Sequence, residues 1–318
     1  MQEGVSVVIP TLNEEKTLGE VLDILEAQKY RPLEIVIVDA GSNDRTIEIA
    51  KQFDVKLIER DSREGHVEDT RKGFEEAKHD LVCSLHADCV PKNSQWLSKM
   101  VRCMANNTGA VRCPDLTDQD AWDELTMIQK AMDATARLEE TEIEEECTEC
   151  RFFAFRAVMF RKKALKEVGG VDSERYYRAG EDADLCHKFA KSDWKVKSAP
   201  TYVIHRYGSH QDSVKDYLMK TVRECEARGV NRRRYPELMK WGVWNEATKT
   251  LLYFGLLVPV VQYLSAALVV SKFGYQTYDA ATNDIGVKAA SLMPVFLISD
   301  VLAITGFWKG YITGKQSI

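Results

Sequence analysis

The stretch from residue 81 to residue 91 contains two polar side chains with the chemistry to bind a ligand. It begins as an apolar run typical of a buried strand and then reaches His86 and Asp88, which Ala87 separates. A carboxylate where a buried strand stops lies at the strand's carboxyl end, which is where ligands bind in open α/β sheets. We therefore predict that Asp88 holds a metal ion and that the ion holds a diphosphate. An ordinary strand followed by a polar turn would explain the same stretch without a ligand.

Two earlier strands end in similar groups. The first predicted strand, residues 5–10, is followed by Asn13 and Glu14, and the second, residues 33–39, ends in Asp39. Carboxylates accept hydrogen bonds from nucleobase N–H groups and ribose hydroxyls, but they repel phosphate unless a divalent cation intervenes. Acidic groups after three strands therefore indicate a nucleotide site with a bound cation.

Helical patterns separate these strands and predict how the groups are positioned. Apolar residues recur at helical spacing after the first strand, at Leu18, Val21, Leu22 and Leu25. Alternation of strands and helices indicates a parallel sheet with right-handed crossovers. No glycine-rich phosphate loop follows the first strand, so the sequence predicts that other groups hold the diphosphate.

Composition restricts the classes of protein that this chain can be. It has 318 residues, of which 45% are hydrophobic, and a net charge of -6, which does not favour nucleic acid as a partner. The eight cysteines are scattered and no secretory signal is recognisable, which favours a reduced, cytosolic catalytic part. Cys147 and Cys150 form a CxxC pair that could bind zinc or act in redox chemistry.

Three of these segments resemble the nucleotide-sugar half of the family-2 inverting glycosyltransferases, which have the GT-A fold. The segments read SVVIPTLNEE at 6–15, IVDAGSNDRT at 37–46 and HAD at 86–88. The resemblance implies an α/β fold with a mixed, mainly parallel sheet. It further implies roles for individual residues in binding the nucleotide sugar and its cation: Pro10, Leu12 and Glu14 line the nucleotide pocket, Asp39 binds the base, and Asp88 is the metal-binding carboxylate of a DxD motif.

His86 is where this chain departs from that motif, since the family usually has an acidic residue there. A neutral imidazole could hydrogen-bond a hydroxyl of the donor or ligate the ion. Ala40 is a second departure, at a position where the family usually has Asp. We keep His86 among the residues expected to bind the donor.

A second acidic cluster occupies the start of a predicted helix at Glu181, Asp182 and Asp184. The helix dipole would stabilise such carboxylates without any catalytic role. Sugar transfer to a hydroxyl with inversion instead needs a carboxylate as general base, opposite the leaving diphosphate. Together with GGVD at 169–172, the cluster is similar to the family's GGFD and EDxDL signature. The resemblance implies that Asp182 is the base, with Glu181 as its immediate competitor.

The predicted strand at 199–205 ends in His205. The resemblance implies that His205 completes the coordination of a divalent cation on Asp88. A carboxylate with an imidazole suits Mn²⁺ better than Mg²⁺, so the cofactor is expected to be Mn²⁺ or Mg²⁺. A hydrogen-bonded loop histidine is the alternative.

The C-terminal third carries a basic and aromatic tract, residues 214–244, followed by residues 250–271 without a charge. At about 1.5 Å per residue such a stretch is long enough to cross a bilayer. A second apolar run, residues 288–309, contains Asp300, which would cost a few kcal/mol at mid-bilayer. The positive-inside rule places both ends of the pair in the cytoplasm. Buried helices, an oligomer interface, or a hairpin in one leaflet would be alternatives.

These observations predict the domain organisation. We expect a GT-A domain over 1–212, with a nucleotide-sugar half (1–115) and an acceptor half (116–212). A basic juxtamembrane linker (213–248) and a two-helix membrane segment (249–318) would follow it.

The expected function is that of a glycosyltransferase at the cell membrane with its catalytic domain in the cytoplasm. It would move a sugar from a UDP- or GDP-linked donor to a hydroxyl of a lipid-linked or surface glycan. One alternative is a polyprenyl-phosphate sugar synthase, whose anionic acceptor needs no base. Another is a catalytically silent scaffold that binds nucleotide sugars.

Overall fold

The computed structural model describes residues 2–60, 64–117, 125–126, 129–130, 143, 145–206, 213–238, 246–257, 262–280 and 293–317. Parts of the predicted acceptor half, of the basic tract and of both apolar stretches lie outside these residues. The chain divides into two compact units. The first comprises residues 1–122, 140–209 and 318, and the second comprises residues 123–139 and 210–317.

The first unit combines strands and helices in alternation. Its strands are β1 (Val5–Thr11), β2 (Leu33–Asp39), β3 (Lys56–Glu59), β4 (Leu81–Leu85), β5 (Cys89–Pro91), β6 (Thr108–Arg112), β7 (Asp115–Thr117), β8 (Thr148–Glu149), β9 (Ala157–Arg161), β10 (Lys195–Ser198) and β11 (Val203–His205). Its helices are α1 (Leu18–Glu26), α2 (Thr46–Ala50), α3 (His66–Glu76), α4 (Trp96–Arg102), α5 (Lys162–Glu167) and α6 (Glu181–Ala190).

Among the described residues, eight strands form one sheet in the order β3-β2-β1-β4-β9-β6-β10-β8. Strand β1 is parallel to β2 and β4, β2 is parallel to β3, and β6 is parallel to β10. Strand β9 runs antiparallel to both β4 and β6. The predicted mixed, mainly parallel sheet is therefore confirmed. Strands β5, β11 and β7 form a second, small sheet.

Apolar side chains pack on both faces of the large sheet. Val7 and Ile9 of β1 pack with Leu18 and Leu22 of α1 on one face, whereas Val8 packs on the other. Because successive side chains of a strand point to opposite faces, a strand covered on both sides needs a continuous apolar run. This explains why β1 is buried along its whole length.

The strand register brings the sequence-predicted polar groups to one edge. Thr11 pairs with Asp39 across β1 and β2, and Val8 pairs with Ser84 across β1 and β4. The carboxyl ends of these parallel strands therefore meet, and the loops that follow them are neighbours.

The cysteine pairing differs from the sequence expectation. Cys103, at the end of α4, forms a disulfide with Cys147, and their Cα atoms are 5.6 Å apart. Cys150 keeps a free thiol. Cys147 and Cys150, which could have formed a zinc or redox pair, are therefore not partners, because the partner of Cys147 is distant in sequence. The expectation of a reduced catalytic part does not hold at Cys103 and Cys147.

The second unit is helical, with α7 (Val214–Arg234), α8 (Glu246–Gly255), α9 (Gln262–Ala280) and α10 (Met293–Thr313). Helices α7 and α10 pack through glycines at close backbone approach. A Cβ atom on Gly310 would lie 1.9 Å from the carbonyl oxygen of Glu226, and one on Gly229 would lie 2.0 Å from that of Phe307. Any larger residue at Gly229 or Gly310 would therefore push these two helices apart.

Asp300 on α10 is buried but paired. It forms an ion pair with Lys272 of α9, accepts a hydrogen bond of 2.9 Å from the hydroxyl of Tyr253, and lies 3.6 Å from the Lys249 ammonium. These partners offset much of the free-energy cost of removing the Asp300 carboxylate from water, a cost estimated above for an unpaired Asp300. Within the described part of the chain, one helix, Pro294–Thr313, is long and apolar enough to cross a membrane.

Candidate active site

Asp39 organises the loops at the ends of β1 and β2. Its carboxylate is 1% exposed and accepts hydrogen bonds from the Thr11 hydroxyl (2.9 Å), from the Gly41 and Ser42 amides (3.0 and 2.8 Å) and from the Ser42 hydroxyl (2.5 Å). A carboxylate has about four acceptor positions, so these bonds fill it. A nucleobase N–H would have to displace one of them to reach Asp39.

The loop after β1 is tied to the loop after β2. Asn13 adopts a φ of 59°, a left-handed conformation that Asn tolerates better than most residues. Its amide donates to the Ser42 hydroxyl at 2.8 Å, and its side-chain oxygen accepts from the Asn43 amide at 2.7 Å. No local sequence pattern predicts these hydrogen bonds, because they depend on the approach of two loops. They hold Leu12, half-buried, and Pro10, buried, at this edge.

Asp88 and His205 are brought together by the small sheet. Asp88 directly precedes β5, and His205 ends β11, where it pairs with Cys89. The Nε2 atom of His205 lies 3.2 Å from Oδ2 of Asp88, and the Arg206 amide donates to the Asp88 carbonyl oxygen at 2.7 Å. Burial alone would raise the pKa of Asp88, but the hydrogen bond and charge of His205 hold this pKa well below its usual range.

The pKa of Glu14 is raised by burial and, in part, by the negative charge of Asp88. These two causes raise this pKa to about 7, despite a hydrogen bond from Thr17. A negative charge on both residues is therefore unfavourable unless a cation or hydrogen-bond donors enter between them.

His86 contacts a histidine that the sequence argument did not single out. The ring centroids of His86 and His66 are 4.7 Å apart, with the rings edge to face. Burial lowers the pKa of His86 to about 3 and that of His66 to about 4, so both imidazoles are neutral at pH 7. No motif marks His66, and only its position at the start of α3 brings it here.

The second acidic cluster begins α6 after Gly180, whose φ is 94°. Asp184 is fully buried and forms a 2.7 Å ion pair with Lys188, which gives it a structural role. Glu181 is 5% exposed, and burial together with the adjacent Asp182 charge raises its pKa to about 8. Glu181 is therefore mostly protonated at pH 7, whereas the Asp182 carboxylate caps the Ala183 amide at 2.7 Å.

The side chains predicted from the sequence thus fall into three groups. Asp88 contacts His205 and interacts electrostatically with Glu14 and His86. Near Glu14, Pro10 lies near the end of β1, Leu12 follows β1 and Asp39 ends β2. Glu181 and Asp182 start a separate helix, α6. Among the described residues, no three His, Cys, Asp or Glu side chains are grouped closely enough to hold a metal ion unaided.

Comparison of the whole architecture shows the fold. A mannosyltransferase from Pyrobaculum calidifontis, solved with GDP-mannose and Mn²⁺, superimposes with a TM-score of 0.59 at 18% identity, over 98% of this chain and 87% of that chain. TarS from S. aureus (residues 1–349) gives a TM-score of 0.52 at 14% identity, over 97% and 90% of the two chains. These likenesses support the predicted GT-A fold.

Sequence comparison supports the same conclusion. The glycosyltransferase AglE of Haloferax volcanii is 33% identical over 104 residues, which cover 30% of this chain and 34% of that protein. The dolichol-phosphate mannosyltransferase of Pyrococcus furiosus is 33% identical over 109 residues, covering 33% of this chain and 31% of that protein. The matches thus span about a third of the length of these curated relatives. The sequence model of glycosyl transferase family 2 matches residues 6–169, more than half of the chain, and the protein therefore belongs to this family.

Proposed function

We propose that the protein is an inverting glycosyltransferase that moves a sugar from a nucleotide-diphosphate sugar to a hydroxyl acceptor. The observation that carries this proposal is the Asp88–His205 pair, 3.2 Å apart at the carboxyl edge of the sheet of a family-2 glycosyltransferase. A carboxylate and an imidazole at this edge lie where a nucleotide diphosphate binds in open α/β sheets.

The donor nucleoside would occupy the loops after β1 and β2. Pro10, Leu12 and Glu14 would line its pocket, and Asp39 would hold the second loop in shape and meet the base. The internal hydrogen bonds of Asp39 make its shaping role the larger one. Relatives solved with GDP-mannose or with UDP-GlcNAc support a GDP- or UDP-linked donor.

A divalent cation fits the donor set of Asp88 and His205. This mixed oxygen and nitrogen set favours Mn²⁺ over Mg²⁺. Asp88 and His205 would hold the ion from the protein side. When bound, the ion would neutralise charge that grows on the leaving diphosphate. The Mn²⁺ in the Pyrobaculum structure supports this assignment.

Asp182 would act as the general base. It would accept the acceptor hydroxyl proton while the oxygen forms a bond to the anomeric carbon and the bond from that carbon to the diphosphate breaks. Glu181 is the competitor, but burial and the adjacent Asp182 charge raise its pKa to about 8, so most of this group is protonated at pH 7 and only a small fraction could accept that proton. Its small ionised fraction makes Glu181 the less available base at pH 7, which supports Asp182 in this role.

The acceptor would be a lipid-linked or surface glycan reached at the cytoplasmic face of the cell membrane. Residues 1–212 would form the catalytic domain, 213–248 a juxtamembrane segment and 249–318 the membrane segment. Large apolar side chains on α8 and α9 are 65–78% exposed, which suits contact with lipid: Leu251, Phe254, Tyr263 and Leu264. Full-length protein that fractionates with the cytosol in the absence of detergent would contradict this part of the proposal.

A polyprenyl-phosphate sugar synthase is a second candidate, which the similarity to a dolichol-phosphate mannosyltransferase favours. Its acceptor is already anionic and needs no base. Asp182→Asn separates the candidates, since it should lower transfer to a hydroxyl by about 10²–10⁴-fold but leave transfer to a polyprenyl phosphate nearly unchanged.

The experiment uses purified full-length protein with Mn²⁺ and a panel of UDP- and GDP-sugars. Asp193→Asn, which changes an exposed carboxylate just after α6, is the matched control. Undiminished transfer to hydroxyl acceptors by Asp182→Asn, with donor binding intact, would rule out Asp182 as the base. Absence of turnover with every donor and acceptor would favour a silent scaffold.

A further inference from the structure

His66 has no role in the chemistry described above, and His86 was expected only from the sequence to bind some part of the donor. Within the described part of the chain, the Nε2 atoms of both rings are shielded from solvent and have no hydrogen-bond partner. A polar atom left in this state costs roughly 1–3 kcal/mol unless something supplies the missing hydrogen bond. Two such atoms on rings in contact indicate a group that binds between or beside them.

The backbone holds the start of α3, and with it His66, against the turn at Tyr177 that precedes α6. The Val67 amide donates to the Tyr177 carbonyl oxygen at 3.4 Å. Gly65 has a φ of +99°, and a Cβ there would lie 2.4 Å from the same oxygen. Only glycine permits this approach, so the start of α3 is held beside the turn at Tyr177.

Charged groups from two parts of the candidate site act on the imidazole of His66. The charges of Asp88, on the diphosphate side, and of Arg178, three residues before Glu181, both act on its imidazole. In the proposed reaction the transferred sugar must lie between the diphosphate and the base. A sugar that reaches from the diphosphate at Asp88 toward the start of α6 would pass beside His66 and His86, because His66 contacts His86 and the residues on either side of His66 contact Tyr177.

The chemistry of an imidazole suits a sugar hydroxyl. At pH 8 an imidazole of ordinary pKa is mostly neutral and carries one donor and one acceptor nitrogen. A hydroxyl group is likewise both donor and acceptor, whereas the acidic residue that this chain lacks at position 86 could only accept.

We propose that His66, together with His86, binds hydroxyl groups of the sugar that is transferred and so contributes to the choice of donor sugar. This inference rests on the proposed function, because it assumes a nucleotide-sugar donor. Beyond that function, it assigns a role to His66, and it assigns both histidines to the sugar of the donor rather than to its nucleotide.

The test compares binding of nucleotide sugars with binding of the corresponding free nucleotides. Full-length wild type, His66→Phe and His66→Ala are titrated calorimetrically at pH 8 with GDP-mannose, UDP-glucose, UDP-N-acetylglucosamine, GDP and UDP, each with Mn²⁺. His66→Gln retains hydrogen-bonding groups. His79→Phe is the matched control, since the Nε2 of His79 is also buried and unpartnered but His79 lies beside Gly4, before the opposite end of β1.

We expect His66→Phe and His66→Ala to weaken binding of the preferred nucleotide sugar about tenfold, the usual effect of one lost hydrogen bond. Binding of the free nucleotide should change less than twofold. His66→Gln should recover part of the loss, and His79→Phe should change neither affinity.

Equal losses for nucleotide sugar and free nucleotide would overturn the inference, since His66 would then act on the nucleotide or on the cation. Unchanged affinity for both would overturn it as well. Should wild type bind free nucleotide but none of the nucleotide sugars, the proposed function itself would fail, which is a different result from either of these.

Discussion

Replacing Glu181 by Gln separates the roles of the two neighbouring carboxyl groups at the start of α6. Burial and the Asp182 charge raise the pKa of Glu181 to about 8, so roughly nine-tenths of this group is protonated at pH 7. Gln has the shape of a protonated Glu and does not ionise. We expect Glu181→Gln to retain most of the transfer rate at pH 7, whereas Asp182→Asn loses about 10²–10⁴-fold.

The raised pKa also makes the stability of the protein depend on pH. An unfolded Glu releases its proton near its ordinary pKa of 4.5, whereas folded Glu181 keeps the proton until about pH 8. Between these values the folded state binds more protons, so the free energy of unfolding decreases as pH rises. At about 1.36 kcal/mol per pKa unit, this group removes about 3–4 kcal/mol between pH 5 and pH 8. Glu181→Gln abolishes that loss.

Native-state hydrogen exchange of the β1 and β4 amides measures this effect, because strands in the core exchange mainly through global opening. The free energy of opening is compared at pH 5 and pH 8 for wild type, Glu181→Gln and Glu174→Gln. Glu174 is exposed and serves as the control.

Two results would refute the reasoning. Parallel pH dependence in wild type and Glu181→Gln would show that Glu181 ionises normally. An inactive Glu181→Gln enzyme beside an active Asp182→Asn enzyme would make Glu181 the base.

Three further predictions concern other parts of the molecule. In wild type, GDP or UDP at a hundredfold excess over Kd should stabilise the protein by about 2.7 kcal/mol in total. Asp88→Ala should abolish the part of this thermal stabilisation that depends on Mn²⁺; a persisting Mn²⁺ effect would place the ion elsewhere. Cys103→Ser should lower the free energy of unfolding by about 3–4 kcal/mol, since the disulfide closes a loop of 44 residues, and the difference from wild type, measured by denaturant unfolding, should vanish in dithiothreitol. Gly310→Ala should cost at least about 2 kcal/mol, because its Cβ would lie 1.9 Å from the Glu226 carbonyl oxygen; unchanged hydrogen-exchange protection of α7 would contradict this packing.

Much of the first unit could be predicted from local sequence alone. The predicted bounds of β2 agree with the structure, the apolar run from residue 81 forms β4, and the four apolar residues assigned to α1 are the ones that it buries. A strand that is buried on both faces of the sheet needs apolar residues throughout. A helix that packs on one face of the sheet shows apolar residues with a 3.6-residue period. Both patterns are local, so they can be recognised without knowing the fold.

Features that depend on distant partners could not be predicted in this way. Strand β9 inserts antiparallel between β4 and β6, and β10, with two lysines in four residues, lacks a strand pattern of its own. Cys147 has Cys150 as its neighbour in sequence but Cys103 as its partner. Asp300 interrupted an apolar run, and only the packing of α9 beside α10 supplies Lys272.

The candidate site shows the same division. The sequence by itself determined which residues end the strands, because those residues follow directly on the apolar runs, and motif resemblance supplied expectations for Asp88, His205 and Asp182. Only the tertiary structure decided that Asp88 and His205 lie 3.2 Å apart, that burial raises the pKa of Glu181 to about 8, and that His66 contacts His86. The physical reason is that residue type depends on the local chain, whereas distance and burial depend on segments that meet only when the chain is folded.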